Sequence, residues 1–375
     1  MKFNILYRNK KAKIGQIQIE DKYIETPIFM PVGTFGVVKS ISSEDLENIG
    51  FKIILSNTLH LINKPGKKTI NIHKNIQKFM NWNNLILTDS GGFQHFSLNG
   101  KTTDNGILFN SVINNKPFLL TPKNCIKMQE SINSNIIMVL DECTKYPINI
   151  KKAYNSLKIS MKWAKECKIN LTEKKAIFGI IQGSIYPELR KISIKELKKI
   201  NFDGYAIGGL SVGESKKEFL NTLDTISDNL PNDKPIYLMG IGYPQDILEA
   251  VLRGIDMFDC VIPTRNARNG QLFTSKGILK INKIKNKYNT EKIDYNCNCY
   301  TCSKYTISYI YHLNKINETL GIRLNTIHNL TYYKNLITNI KKAIIDNKIN
   351  EFKNEFYKFY KEEKNENNNF YNASY

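Results

Sequence analysis

Four polar side chains stand directly after short apolar runs in this chain: Asp89 after 85–87 (with Thr88 between), Asp141 after 136–140, Gln182 after 176–181 and Asp259 after 254–258. A single carboxylate at a strand end is ordinary turn chemistry, since Asp bonds readily to the backbone that follows it. Several in register, with Gly91-Gly92 and Gly208-Gly209 beside them, describe a common mouth whose backbone a flat ligand can approach closely. Asp141 and Gln182 supply acceptors and donors for the edge of a purine-like ring, and Phe93 and Met239 can cover its two faces. Asp89 and Asp259 then form the pair used in glycosyl chemistry, one carboxylate as nucleophile and the other as acid/base. After Asp259 the chain opens into the stretch 263–270, read as a Pro/Gly-bounded loop in which Arg265 and Arg268 grip a polyanion.

Cys297, Cys299 and Cys302, followed by His328, make a second constellation. A Cys3His set is closed and four-coordinate, the structural form of a zinc site, with no position left for a substrate water. The chain has five histidines and no His-x-His pair, so it lacks what an open-metal hydrolase on a barrel would need. Cys125, Cys167 and Cys260 read as small core residues, and His60, His73 and His312 as satisfied surface or core histidines.

Holding the polar groups in register requires rigid strand ends. Eight short apolar runs supply them, at 27–31, 52–55, 85–87, 136–140, 176–181, 204–207, 235–238 and 254–258. Runs that are near-continuous rather than alternating suit a parallel sheet buried on both faces. Helix starts lie between them: Ser43-Glu44-Asp45 with Gly50 as the stop, Thr121-Pro122, Tyr186-Pro187 and Tyr243-Pro244. Eight strands alternating with helices predict an α/β fold, a (β/α)8 TIM barrel, whose chemistry sits at the C-terminal strand ends. A doubly wound dinucleotide fold would need a Gly-x-Gly-x-x-Gly turn after its first strand, and none is present. The expected plan is an antiparallel lead-in over 1–25, the barrel over 26–270 with an insertion at 90–120, and a zinc-binding subdomain over 271–330. Helices packing on the barrel follow over 331–364, then a frayed polar tail over 365–375.

At 375 residues the chain can bury a large core without disulfides. Its formal charge of +20 and pI near 9.4 favour a polyanionic partner, although richness in Lys, Asn, Ile and Tyr gives part of that charge a compositional origin. No apolar leader opens the chain and no run of ~18 apolar residues follows, so neither export nor a membrane span is expected. Seven cysteines, three of them within six residues, then point to metal binding in a reducing cytoplasm.

Taken together the motifs resemble the tRNA-guanine transglycosylases: MPVGT at 30–34, SNT at 56–58, TDSGGFQ at 88–94, DEC at 141–143, GIIQG at 179–183, GGLSVGE at 208–214 and DCVIPTRNARNG at 259–270, with the zinc motif after them. The resemblance runs from about residue 2 to about 345, in order. It implies exchange of the wobble guanine, position 34, in tRNAs with GUN anticodons. Cys143 and Val212 resemble the bacterial form, whose incoming base is 7-aminomethyl-7-deazaguanine (preQ1), in queuosine biosynthesis. By that resemblance Asp259 is the nucleophile on ribose C1′ and Asp89 the proton acceptor. Ser90, Gly91, Gly92, Phe93, Asp141, Cys143, Gln182, Gly209, Leu210 and Met239 hold the base, and Glu214 steadies the Leu210–Ser211 peptide against its 7-substituent. Thr264, Arg265, Asn266, Ala267 and Arg268 contact RNA, as does a second stretch of Gly240, Ile241, Gly242, Tyr243, Pro244, Gln245 and Asp246. One structural zinc per subunit, a homodimer and partnership with the tRNA anticodon loop are implied as well. His95 and Ile307 depart from the family's usual residues. A catalytically silent RNA-binding subunit of the same family is disfavoured, because Asp89 and Asp259 are both present.

Overall fold

The computed structural model describes residues 1–93, 100–110 and 117–360, so His95 and the tail over 365–375 lie outside the described residues. Strands β1 (Lys2–Asn9), β2 (Ala12–Ile19) and β3 (Lys22–Glu25) form an antiparallel sheet in that order. The sequence marks only the first two, as short runs at 2–7 and 15–19. The third is short and mostly exposed, and only Ile24 of its four residues is buried.

The barrel strands are β4 (Ile28–Pro31), β5 (Ile53–Ser56) and β6 (Leu85–Thr88). A small antiparallel sheet then intervenes, β7 (Lys101–Thr103), β8 (Gly106–Asn110) and β9 (Pro117–Leu120), where the insertion was expected. The barrel resumes with β10 (Ile136–Met138), β11 (Ala176–Ile181), β12 (Gly204–Ile207), β13 (Ile236–Leu238) and β14 (Met257–Cys260). The eight are parallel neighbours in the order β4-β14-β13-β12-β11-β10-β6-β5, and the bridge between Val32 and Leu55 brings the edge strands together. Every residue of these strands is buried, which explains why they read as unbroken apolar runs. One register differs from expectation. β14 begins at Met257 and runs through Cys260, with Asp259 opposite Met30, so Asp259 lies inside the strand rather than after it.

Helices fill the connections, and their starts follow the capping chemistry. The first spans Ser43–Ile49, capped by Ser42 in a reciprocal box with Asp45, one residue earlier than expected, and ended by Gly50 at φ 96°. Thr121 caps the helix Pro122–Ser131 through its hydroxyl. The stretch read as a basic loop is instead a helix, Ile262–Arg268, with Pro263 in its first turn and the Arg265 amide bonded to the Val261 carbonyl at 2.8 Å. Proline at that position lacks only an N–H that no helix would use, so it starts the helix rather than breaking it.

Beyond it lie the hairpin β15 (Gln271–Thr274) and β16 (Gly277–Lys280), short helices at Tyr300–Lys304 and Ile307–Lys315, and a 27-residue helix Thr319–Ile345. Leu324 of this helix joins a second small core with Leu272, Ile281, Ile293 and Ile310, whereas Leu330, Tyr333, Leu336 and Ile340 pack into the barrel core. Position 330 therefore falls in the middle of one rigid element shared by both cores. Ile307 is buried at the start of its helix, its amide on the Glu291 carbonyl at 2.8 Å. Among the described residues no helix is long and apolar enough to cross a membrane.

Candidate functional site

Asp259 is 3% exposed, and its Oδ1 accepts hydrogen bonds from the Tyr237 hydroxyl at 2.6 Å and the Gly240 amide at 2.8 Å. Burial pushes its carboxyl above the usual range, those two bonds pull it down, and the charge of Asp89 pushes it up again. Asp89, just past the end of β6, is near enough for its charge to act on Asp259. Asp89 is itself fixed at both oxygens, by the Asn57 amide at 2.8 Å and the Thr58 main-chain N–H at 2.7 Å, while the Thr58 hydroxyl donates to its carbonyl at 2.6 Å.

Asp141 accepts from Gln182 Nε2 at 2.6 Å. Burial raises its carboxyl to about 6; Gln182 opposes the shift, and the charges of Glu142 and Asp89 add to it. The Gln182 amide lies close to the Gly208-Gly209 backbone. A Cβ at 208 would come within 2.7 Å of its Nε2 and 2.8 Å of the Ile180 side chain, and one at 209, where φ is +63°, within 2.5 Å of its Oε1, so a side chain at either position would disturb Gln182. The loop after β12 is steadied by Glu214, which accepts from the amides of Ser211 at 2.5 Å and Val212 at 3.0 Å. Burial also pushes the Cys143 thiol up, which leaves a neutral wall. Ser90, Gly91 and Gly92 are buried, and Phe93 and Met239 are half-buried on the same end of the barrel.

Two groups escaped the sequence reading. Tyr237 lay hidden inside an apolar run, and nothing in its spacing marked it. Arg190 is fully buried and donates only to main-chain carbonyls, those of Ile181, Ser184, Gly208 and Gly209. A signal for it did exist: the chain uses arginine at six positions among 54 Lys+Arg.

At the rim, Arg265 and Arg268 sit three residues apart on the helix Ile262–Arg268, both half-buried. Arg268 Nη1 is buried with no hydrogen-bond partner, and so is Gln245 Oε1. Burial and then the charge of Arg265 hold Arg268 below the usual guanidinium range. Tyr243 keeps some exposure, whereas Ile241, Gly242, Pro244, Asp246, Thr264, Asn266 and Ala267 are buried. Asp246 pairs with Lys216, and the Gly240 amide is turned to Asp259. Of the stretches expected to contact RNA, the side chains that keep some exposed surface are therefore Tyr243, Gln245, Arg265 and Arg268.

The second constellation assembles as its spacing implied. One ligand atom from each of Cys297, Cys299, Cys302 and His328 lies within 4.8 Å of the others, and all four residues are buried. His328 Nε2 is 2.8 Å from the Phe273 carbonyl, which fixes its proton there and leaves Nδ1 for the thiols, at 3.8, 3.6 and 3.3 Å. A tetrahedral ion with Zn–S near 2.3 Å and Zn–N near 2.1 Å would set S···N at about 3.6 Å. The cluster can hold a metal ion.

With this geometry in place, the chain was compared with known proteins. The family model described as Queuine tRNA-ribosyltransferase matches residues 8–362. A protein of Buchnera aphidicola subsp. Acyrthosiphon pisum (strain APS) named Queuine tRNA-ribosyltransferase is 50% identical over 363 residues, 96% of this chain and 98% of its own. One of the same name from Francisella tularensis subsp. tularensis (strain SCHU S4 / Schu 4) is 50% identical over 364 residues, 96% of this chain and 99% of its own.

Proposed function

This chain belongs to the queuine tRNA-ribosyltransferase family and is a tRNA-guanine transglycosylase, and from that premise we propose that it exchanges the wobble guanine of GUN-anticodon tRNAs for preQ1 through a covalent ribosyl-aspartate. Asp259 attacks C1′ of the target ribose. The C1′–N9 bond breaks, its electron pair leaves with guanine, and guanine is protonated from solvent or from Asp89 in its acid form. The new base then loses its N9 proton to Asp89, its nitrogen attacks C1′, and the ester pair returns to Asp259. Two inversions give net retention. The target nucleotide must leave its stack for C1′ to be reached.

The observation that carries the covalent reading is the asymmetry of Asp259. Both of its bonds fall on Oδ1, from Tyr237 and Gly240, and no cation neutralises it among its bonded partners. Such a carboxylate is oriented without being quenched. What supports preQ1 is the peptide between Leu210 and Ser211. Glu214 holds the Ser211 N–H, and a trans peptide carries its carbonyl on the opposite edge, so the Leu210 oxygen is presented as an acceptor for a cationic aminomethyl group. Arg268, with an unmatched buried donor, and Arg265 beside it suit phosphates flanking the target. The Cys3His cluster, in this reading, holds one structural zinc per subunit. Self-association into a homodimer is supported by the exposed Tyr300 and Tyr309, packed on Tyr305 beside that cluster.

The test is base exchange on purified protein. Labelled guanine should enter unmodified GUN-anticodon tRNA, and preQ1 should then displace it irreversibly. Exchange of guanine with no use of preQ1 would remove the preQ1 assignment and leave the family activity standing.

A further inference from the structure

A buried guanidinium ordinarily sits against a carboxylate. Arg190, on the helix Pro187–Ile200, is 0% exposed and instead spends its fork on the backbone. Nε donates to the Ser184 carbonyl at 2.7 Å, Nη1 to those of Ile181 at 2.8 Å and Gly208 at 2.7 Å, and Nη2 to that of Gly209 at 3.2 Å. Burial lowers it only to about 10, with the charge of Glu214 opposing the shift, so it is a cation at neutral pH. Lysine outnumbers arginine heavily in this chain, and lysine's single ammonium could not reach four carbonyls on two loops.

The consequence follows from peptide geometry. A trans peptide carries its carbonyl and its N–H on opposite edges. Drawing the Gly208 carbonyl toward Arg190 turns the Gly209 N–H the other way, to the side of the loop where the Cys143 thiol lies. The loop from 208 to 212 is thus gripped twice: a cation takes the carbonyls of Gly208 and Gly209, and the Glu214 carboxylate takes the amides of Ser211 and Val212. Guanine's edge offers two donors, N1–H and the 2-amino group, which suit Asp141, next to one acceptor, O6, which needs a donor.

We propose that Arg190 is a positioning residue for base recognition: it aims the Gly209 N–H at the 6-oxo group of the bound purine. Through the carbonyls of Ile181 and Ser184 it also fixes the neighbouring strand end that carries Gln182. A cation bonded to the carbonyl side of a peptide polarises its N–H, so this donor strengthens as negative charge gathers on the departing base. The proposal rests on the base-exchange reading above.

The experiment compares guanine with 2-aminopurine, which lacks the 6-oxo group, as competitors for base exchange in wild type, Arg190→Lys and Arg190→Met. The wild type should prefer guanine strongly. Both variants should lose about tenfold or more in guanine affinity while 2-aminopurine changes by less than about threefold and the KM for tRNA stays put. A merely structural role would weaken both bases and tRNA together, and an unchanged guanine to 2-aminopurine ratio overturns the proposal. Should neither variant fold, the wild type labelled with 15N-glycine answers: the Gly209 amide resonance must move with guanine and far less with 2-aminopurine, and equal movement overturns it. Absence of any exchange in the wild type would strike the functional reading instead.

Discussion

Asp256, the residue before β14, and Asp259, inside it toward its C-terminal end, stand three residues apart, 0% and 3% exposed, and burial raises the carboxyl of each. At the lower end Asp256 is quenched. Lys13 pairs with it at 2.9 Å, the Ile236 amide donates at 2.8 Å and Thr26 at 3.3 Å, and Lys13 also holds the Gly254 carbonyl. At the upper end Asp259 receives a hydroxyl and an amide on one oxygen and meets the field of another carboxylate. One residue type at one depth along one stretch is thus a structural pin where a cation reaches it, and, in the mechanism proposed above, a nucleophile where none does. In a parallel barrel the lower strand ends are where conserving fold geometry matters, and the upper ends are where a carboxylate can be left reactive.

Substitution at these two positions breaks the comparison most visibly. Asp259→Asn should lower the exchange rate by at least ~10³-fold with little change in thermal stability, measured by labelled-guanine incorporation and by melting. Asp256→Asn should do the reverse. It leaves Lys13 buried without its partner, at a cost of roughly 3–5 kcal/mol in chemical denaturation, while the folded fraction keeps a near wild-type rate. Equal loss of activity in both, at equal stability, would dissolve the distinction between the two ends.

Smaller effects sharpen it. Tyr237→Phe removes one of the two bonds that hold the Asp259 charge, so its carboxyl should rise further. The acid limb of the rate should then move to higher pH, with about a tenfold loss near neutrality. Asp141 offers a pH test with a definite sign. Its carboxyl is raised from 3.8 to about 6, so the folded state binds the proton more tightly, and the resulting stability is present below about 3.8 and lost as pH rises through about 6. Asp141→Asn should therefore melt higher than wild type at pH 8 and lose that advantage by pH 4, while guanine binding suffers throughout. Smallest of all, removing Arg265 or Arg268 should weaken tRNA binding and reduce the slope of log affinity against log salt by about one each.

Much of this was legible in the chain because burial on both faces forces a strand to be apolar throughout, and the polar residue that ends it then stands out. Asp89, Asp141, Gln182 and Asp259 were visible on that ground, as were the four residues of the Cys3His cluster, whose types have few other reasons to crowd. What was not legible depended on contacts between distant segments. Tyr237 reads as a strand aromatic until its hydroxyl is seen on Asp259, and Asp256 passes unmarked inside the run 254–258 until Lys13 arrives from the lead-in sheet. The stretch after Asp259 was misread as a loop because Pro263 and Gly270 bound it, although proline in a first turn belongs to a helix. Burial of Ile241, Asp246 and Ala267 within stretches expected to touch RNA was beyond the motif, which cannot tell a wall from a rim.

The central claim is that Asp259 carries the ribose between the two bases. Incubating the protein with unmodified tRNA, denaturing without reductant or base, and mapping the retained species by proteolysis and mass spectrometry tests it directly. The account predicts a tRNA adduct on the peptide containing Asp259, discharged by preQ1 and absent from Asp259→Asn. An adduct that maps to Asp89, or one that persists in Asp259→Asn, would contradict it.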